Sequence, residues 1–175
     1  MSSKQEHDIR KNAIYFFGQN NKYGEFSNWF HCEFEDPKVL PKFKFQNTEQ
    51  YMMYCKALLF KDNIRAKLIL QTSSPKLCKK YGRQVKNFND KVWTKHCENI
   101  VFTGCLHKFT NNKRLKSLLL STGDKLLVEA SPYDRIWGIG LNKYVAIRTP
   151  IGHWRGQNKL GKCLMKVRDL IRNIK

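Results

Sequence analysis

Asn47-Thr48-Glu49-Gln50-Tyr51-Met52-Met53-Tyr54-Cys55-Lys56-Ala57-Leu58-Leu59-Phe60-Lys61-Asp62 is the stretch from which the fold is read. Asn47 or Thr48 can cap a helix N-terminus, and Met, Leu and Ala favour a helix interior. At 3.6 residues per turn, Glu49, Met52, Met53, Lys56 and Phe60 share one face, so an acid and an amine sit on an apolar stripe. Seven residues rise about 10 Å along the axis, too far for a direct salt bridge, yet both side chains can lean over something bound between them. Burial lowers the pKa of a lysine and raises that of a glutamate, which suits proton transfer and nucleophilic attack. The alternative is a structural pair on a partly exposed helix.

Around this helix the chain reads as one α+β domain, mostly helical and packed on a small antiparallel sheet. Residues 1–12 are polar and are expected to form a flexible N-terminal arm, leaving 13–175 as the domain. Ala13–Phe17, Phe30–Phe34 and Phe43–Phe45 read as short strands before the central helix, and Leu126–Ala130 as a late one. Asp62 can cap a helix running through Ile64 to Leu70. Ser74-Pro75 is a cap followed by a first-turn proline, with Gly82 placed to end that helix. Asn89 or Asp90 starts a long helix in which Gly104 predicts the close approach of another element. Asn111 or Asn112 caps Lys113–Leu120. Tyr144–Asn158 is too irregular to assign, and Leu160–Ile174 is amphipathic.

Composition narrows the function classes. The 175 residues are 41% hydrophobic and 13% aromatic, which is a globular balance. No apolar run is long enough for a membrane span and the N-terminus lacks an apolar signal core, so an intracellular protein, cytoplasmic or nuclear, is expected. Six cysteines are scattered without zinc spacing, so free thiols packed as small hydrophobes are expected, with no metal. The net charge of +19 favours a polyanionic partner, with a merely solvated lysine-rich surface as the alternative.

A set of ordered segments now becomes specific. They are Phe26-Ser27-Asn28, Thr48–Ala57, Tyr81-Gly82-Arg83, Trp93, Lys108-Phe109, Leu118–Gly123, Leu127–Leu141, Gly156–Lys162 and Leu164–Arg168. In these the chain resembles the NADAR family (NAD- and ADP-ribose-associated), also called the YbiA-like N-glycosidases, over nearly everything after residue 13. The resemblance implies cleavage of a ribosyl C1–N bond, either in phosphorylated ribosylamino intermediates of riboflavin synthesis or in ADP-ribosylated guanine. Glu49, Lys56, Asp134 and Trp137 match positions the family uses at its active site. The riboflavin-type members tend to carry an acid where this chain has Ile139. The sequence Trp137-Gly138-Ile139-Gly140-Leu141 thus places it nearer the other branch.

The residue chemistry agrees with that implication. Breaking a ribosyl C–N bond develops positive charge on the sugar, and the leaving nitrogen needs a proton. Glu49 is the expected proton shuttle. Lys56 is the expected amine attacking C1, with the resemblance raising an imine to the opened ribose. Asp134 is expected to hold ribose hydroxyls or act as a second acid/base. Trp137 and Trp93 offer faces for a base, stacking being worth about 1–3 kcal/mol per base, though core packing is an equal alternative for Trp93. Asn28, Arg83 and the amides around Gly138 are candidate phosphate or ribose contacts. The expected enzyme is a monomeric hydrolase without cofactor that removes ADP-ribose from guanine nucleosides or nucleic acid. The alternatives are a glycosidase of riboflavin precursors and a non-catalytic basic module that binds nucleic acid.

Overall fold

The computed structural model describes residues 2–174. In chain order its elements are α1 (Ser3–Asn12), β1 (Ile14–Phe16), β2 (Phe34–Glu35), β3 (Lys44–Phe45), α2 (Thr48–Leu59), α3 (Asn63–Leu70), α4 (Pro75–Arg83), α5 (Asp90–Thr110), α6 (Lys113–Ser121), β4 (Leu127–Glu129), α7 (Lys143–Arg148) and α8 (Lys159–Asn173). Helix dominates and the sheets are small, as the sequence predicts. The strands, however, form two pairs: β2 is antiparallel to β3, while β1 runs parallel to β4, with Tyr15 opposite Val128. A parallel partner needs a long crossover, so the strand nearest in sequence is not the one that pairs. By contact the chain divides into two compact units. One comes from its two ends, up to Ser27 and from Ser117, and the other is Asn28–Lys116.

In the Asn28–Lys116 unit, α2 packs against α3, α4 and α5. Asn47 is the cap, its Oδ1 accepting the Gln50 amide at 2.8 Å. Thr48 through Tyr54 and Ala57 are all buried, so the first two turns are enclosed on every side instead of presenting a single apolar stripe. On the side away from Lys56, the Tyr51 ring lies 5.0 Å from that of Phe45 and 5.8 Å from that of Phe34. The Tyr51 hydroxyl donates to Asp36 Oδ2 at 2.7 Å. Gly104 of α5 admits this ring, since a Cβ there would stand 2.7 Å from Tyr51 Cδ1.

Gln50 ties α2 to the end of α3 by donating to the carbonyls of Ile69 and Thr72. Asp62, Ser74 and Asn89 cap α3, α4 and α5. Gly82 does not end α4, which continues to Arg83. Its missing Cβ serves packing, because a side chain there would collide with Met53 Sδ of α2.

The unit built from the chain ends has its core around the β1–β4 pair and α8. Leu160, Leu164, Val167 and Ile171 bury one face of α8. Asn158, at φ 52°, donates to Leu127 O and accepts the Glu129 amide, fixing the start of α8 against β4. Residues 3–12 are helical where a flexible arm was expected. A capping box between Ser2 and Gln5 starts α1. Glu6 accepts the Ile151 amide and Arg10 donates to Ile147 O, holding the helix down. The unassigned Tyr144–Asn158 stretch contains most of α7, whose cap is Asn142. Among the described residues no helix is long and apolar enough to cross a membrane.

Asp62 is the most testable joint of this architecture. Its carboxylate accepts the Lys86 amide at 2.8 Å and the Arg65 amide at 3.0 Å, capping α3 and tethering the link between α4 and α5. These bonds hold its pKa below the ordinary 3.8, so the stabilisation is complete above that value and is lost as pH falls through the folded pKa. Asp62→Ala is expected to lose about 1–2 kcal/mol, the range of a lost helix cap. Asp62→Asn keeps an acceptor, and its deficit against the native protein in denaturant titrations should shrink below pH 3.8. A deficit unchanged with pH would show that the carboxylate charge contributes nothing.

Candidate active site

Lys56 stands at the last turn of α2, where the enclosure of the helix opens. Its Nζ donates to the Gly82 carbonyl at 2.8 Å. The same nitrogen lies 4.2 Å from the centroid of the Phe88 ring and 5.4 Å from that of Trp93. Burial, and secondarily the positive charge of Arg83, lower its pKa from 10.5. Two residues singled out in the sequence, Arg83 and Trp93, thus act on the amine of a third, Lys56. Trp93 is half-exposed on the first turn of α5, not buried core.

Two further residues at this amine escaped the sequence reading. Gly82 looked like a helix stop, yet it supplies the acceptor for Lys56 and the space for Met53. Phe88 lies in the link between α4 and α5, where no periodicity connects it to α2. Its ring is 45% exposed and packs edge-on to Phe60, with centroids 5.3 Å apart. The signals available were an aromatic in a polar link and the neighbouring Asn87, whose φ of 54° is a left-handed turn conformation.

Glu49 lies on the first turn of α2, only 4% exposed, and its amide donates to the Asn28 carbonyl at 2.9 Å. Its charge helps raise the thiol pKa of Cys78 on α4, second to the effect of burial. Met53 and Lys56, on the helical face that Glu49 shares, both meet Gly82 of α4. Asn28 is 6% exposed, and its Oδ1 is buried without a hydrogen-bond partner among the described residues. An unsatisfied buried amide oxygen is expensive, and it marks Asn28 as a group awaiting a donor.

Asp134, Trp137 and Gly138 belong to the other unit and are placed by one loop. Asp134 Oδ1 accepts the amides of Ile136 and Trp137, both at 2.8 Å. The Ile139 amide donates to Glu129 O and the Gly140 amide to Asp134 O. The amides of Trp137 and Ile139, on either side of Gly138, are therefore engaged within the loop. Gly138 itself is a close-approach position, where a Cβ would stand 2.9 Å from Asp134 O. Ile139 is fully buried, in a cluster with Tyr15, Val128, Ala130, Leu141 and Ala146. Among the described residues no group of three or more His, Cys, Asp or Glu is placed to hold a metal ion.

Known proteins resemble this chain over most of its length. A family model described as the NADAR domain matches residues 15–172. An N-glycosidase of Acanthamoeba polyphaga mimivirus is 44% identical over 160 residues, covering 89% of this chain and 94% of that one. The N-glycosidase YbiA of Escherichia coli is 29% identical over 165 residues, covering 94% and 91%. The NMR structure of E. coli YbiA matches with a TM-score of 0.72 at 28% identity, covering 91% of this chain and 84% of that one. Relatives named N-glycosidases support an enzyme here, a hydrolase of the glycosidase type. On the family match and the 44% identity, the chain belongs to the NADAR domain family.

Proposed function

We propose that the protein removes ADP-ribose from ADP-ribosylated guanine, as a nucleoside or within nucleic acid, with Lys56 as nucleophile and Glu49 as proton carrier. The observation that carries this reading is the Lys56 amine, held by the Gly82 carbonyl against two ring faces with its pKa lowered. A lowered pKa raises the share of neutral amine, the form with a lone pair for C1. Ring opening of the ribosyl amine gives an iminium at C1, to which Lys56 adds. Glu49 protonates the departing guanine nitrogen, the C1–N bond breaks, and an imine joins Lys56 to the opened ribose. Water then adds, Lys56 leaves as the amine, and free ADP-ribose recloses.

Asn28 Oδ1 is proposed as an acceptor for a ribose hydroxyl, supported by its unsatisfied burial. Arg83 and Trp93 are proposed as phosphate and base contacts, supported by their place beside Lys56. For Asp134 the two amide bonds favour a positioning role within its own loop, holding Trp137, over an acid/base role. The net charge of +19 supports a polyanionic substrate over a small ribosylamine.

The direct test incubates the protein with ADP-ribosylated guanosine, free and within an oligonucleotide, and measures released ADP-ribose. A folded sample that releases none from either substrate sinks the proposal. Lys56→Arg keeps a positive charge but cannot deprotonate. It is expected to retain ADP-ribose binding and lose hydrolysis by about 10³-fold or more, the scale of removing a nucleophile or base. Borohydride added during turnover should trap ADP-ribose on the native enzyme and not on this variant. Substantial activity in Lys56→Arg would instead make Lys56 an electrostatic clamp, with water attacking directly.

The pH profile tests the cause of the shift. The rate should rise with pH as Lys56 loses its proton, and level off at its folded pKa, below 10.5. Arg83→Gln removes a repelling positive charge, so the ammonium becomes easier to keep and the rise should move to higher pH. A rise that stays in place would mean that Arg83 does not act on the titrating group.

A further inference from the structure

Between Asn63 and Asn89 the chain carries seven basic residues (Arg65, Lys67, Lys76, Lys79, Lys80, Arg83 and Lys86) and no acid. Helix α4 arranges part of this charge. Lys76, Lys80 and Arg83 recur at four and seven residues and are all exposed, with Lys79 beside them. The opposite side of α4 is buried at Cys78 and Gly82. Among the described residues none of these four cations takes part in an ion pair, so the stripe is unneutralised. From Lys76 to Arg83 it rises about 10 Å.

Ring faces lie along the same track. Lys79 Nζ is 5.9 Å from the centroid of Trp29, and Phe88, 45% exposed, follows the far end of α4. Cations that follow a phosphate backbone, interleaved with aromatic faces on which bases stack, are the arrangement that holds a single strand. A duplex keeps its bases stacked on one another and has no use for those rings. The track ends at Gly82–Arg83, where Lys56 is held.

We propose that α4 is a binding track for single-stranded nucleic acid, with phosphates on Lys76, Lys80 and Arg83 and unstacked bases on Trp29 and Phe88, leading the strand to Lys56. The proposal rests on the nucleic-acid side of the reading above, and its test separates the two. Binding of an unmodified fluorescent single-stranded oligonucleotide is measured from about 50 to 200 mM salt. The double variant Lys76→Gln/Lys80→Gln is compared with the native protein, because glutamine keeps helix propensity while removing charge. Two lost phosphate contacts should reduce the slope of log K against log salt by about 1.4 and weaken binding about tenfold.

The variant should release ADP-ribose from the modified nucleoside at the native rate and from the modified oligonucleotide more slowly. An unchanged slope and unchanged oligonucleotide turnover overturn the track, while nucleoside turnover still upholds the glycosidase reading. Conversely, a reduced slope in a protein inert on both substrates upholds the track and sinks that reading. Equal affinity for a duplex of the same sequence, with the same loss of slope, overturns the single-strand assignment. Phosphatidylserine vesicles that depend on Lys76 and Lys80 where the oligonucleotide does not overturn it in favour of a membrane surface.

Discussion

Helix α2 is enclosed by β2–β3 on one side and by α3, α4 and α5 on the others, and almost every consequence in its unit follows from that enclosure. The first two turns of this helix, Thr48 through Tyr54, are buried all round and must satisfy their polar side chains internally. Gln50 does so by bridging the Gln46 amide to two carbonyls at the end of α3, and Tyr51 by donating to Asp36. Burial drives the Tyr51 phenol pKa upward, so the hydroxyl remains a donor across all working pH. Enclosure also demands room, which Gly104 gives to Tyr51 and Gly82 to Met53.

From this packing the placement of the Lys56 amine arises without any element dedicated to it. Met53 presses into the gap at Gly82, drawing α4 close enough for the Gly82 carbonyl to receive the Lys56 ammonium. A side chain at position 82 would take the space that Met53 Sδ fills. Asp62 then anchors Lys86, and two residues later Phe88 lies over the amine. A helix cap, a glycine and a loop aromatic thus fix one nitrogen through ordinary packing.

The sequence makes the helices legible because their caps are chemically explicit. Asn47, Asp62, Ser74 and Asn89 each name a start, and each side chain accepts an amide in the first turn. The common face of Glu49 and Lys56 was equally legible, since it needs only the helical period. Strand pairing was not, because β1 and β4 meet across the length of the chain and nothing local specifies a parallel partner. Gly82 misled because a glycine near a helix end has two uses, and only the position of Met53 decides between them. For Asp134, the sequence showed an acid in a functional motif. The two amide bonds that bind it to its own loop depend on backbone geometry that composition does not carry.

Lys56 is held by opposing forces, and their balance explains why its surroundings are mixed. Burial and Arg83 disfavour the ammonium, whereas the Gly82 carbonyl and the ring faces of Phe88 and Trp93 favour it. A fully apolar pocket would leave a neutral amine with nothing to orient it, and a carboxylate partner would fix the proton in place. One neutral acceptor and two quadrupoles orient the nitrogen yet hold its proton loosely. Because the shift is downward, Lys56 weakens folding while it carries its proton, and that penalty fades as pH rises through its folded pKa toward 10.5. An apolar side chain at this position would leave the Gly82 carbonyl without this donor. The same surroundings thus orient one amine at the end of α2 and make its proton the easier to lose.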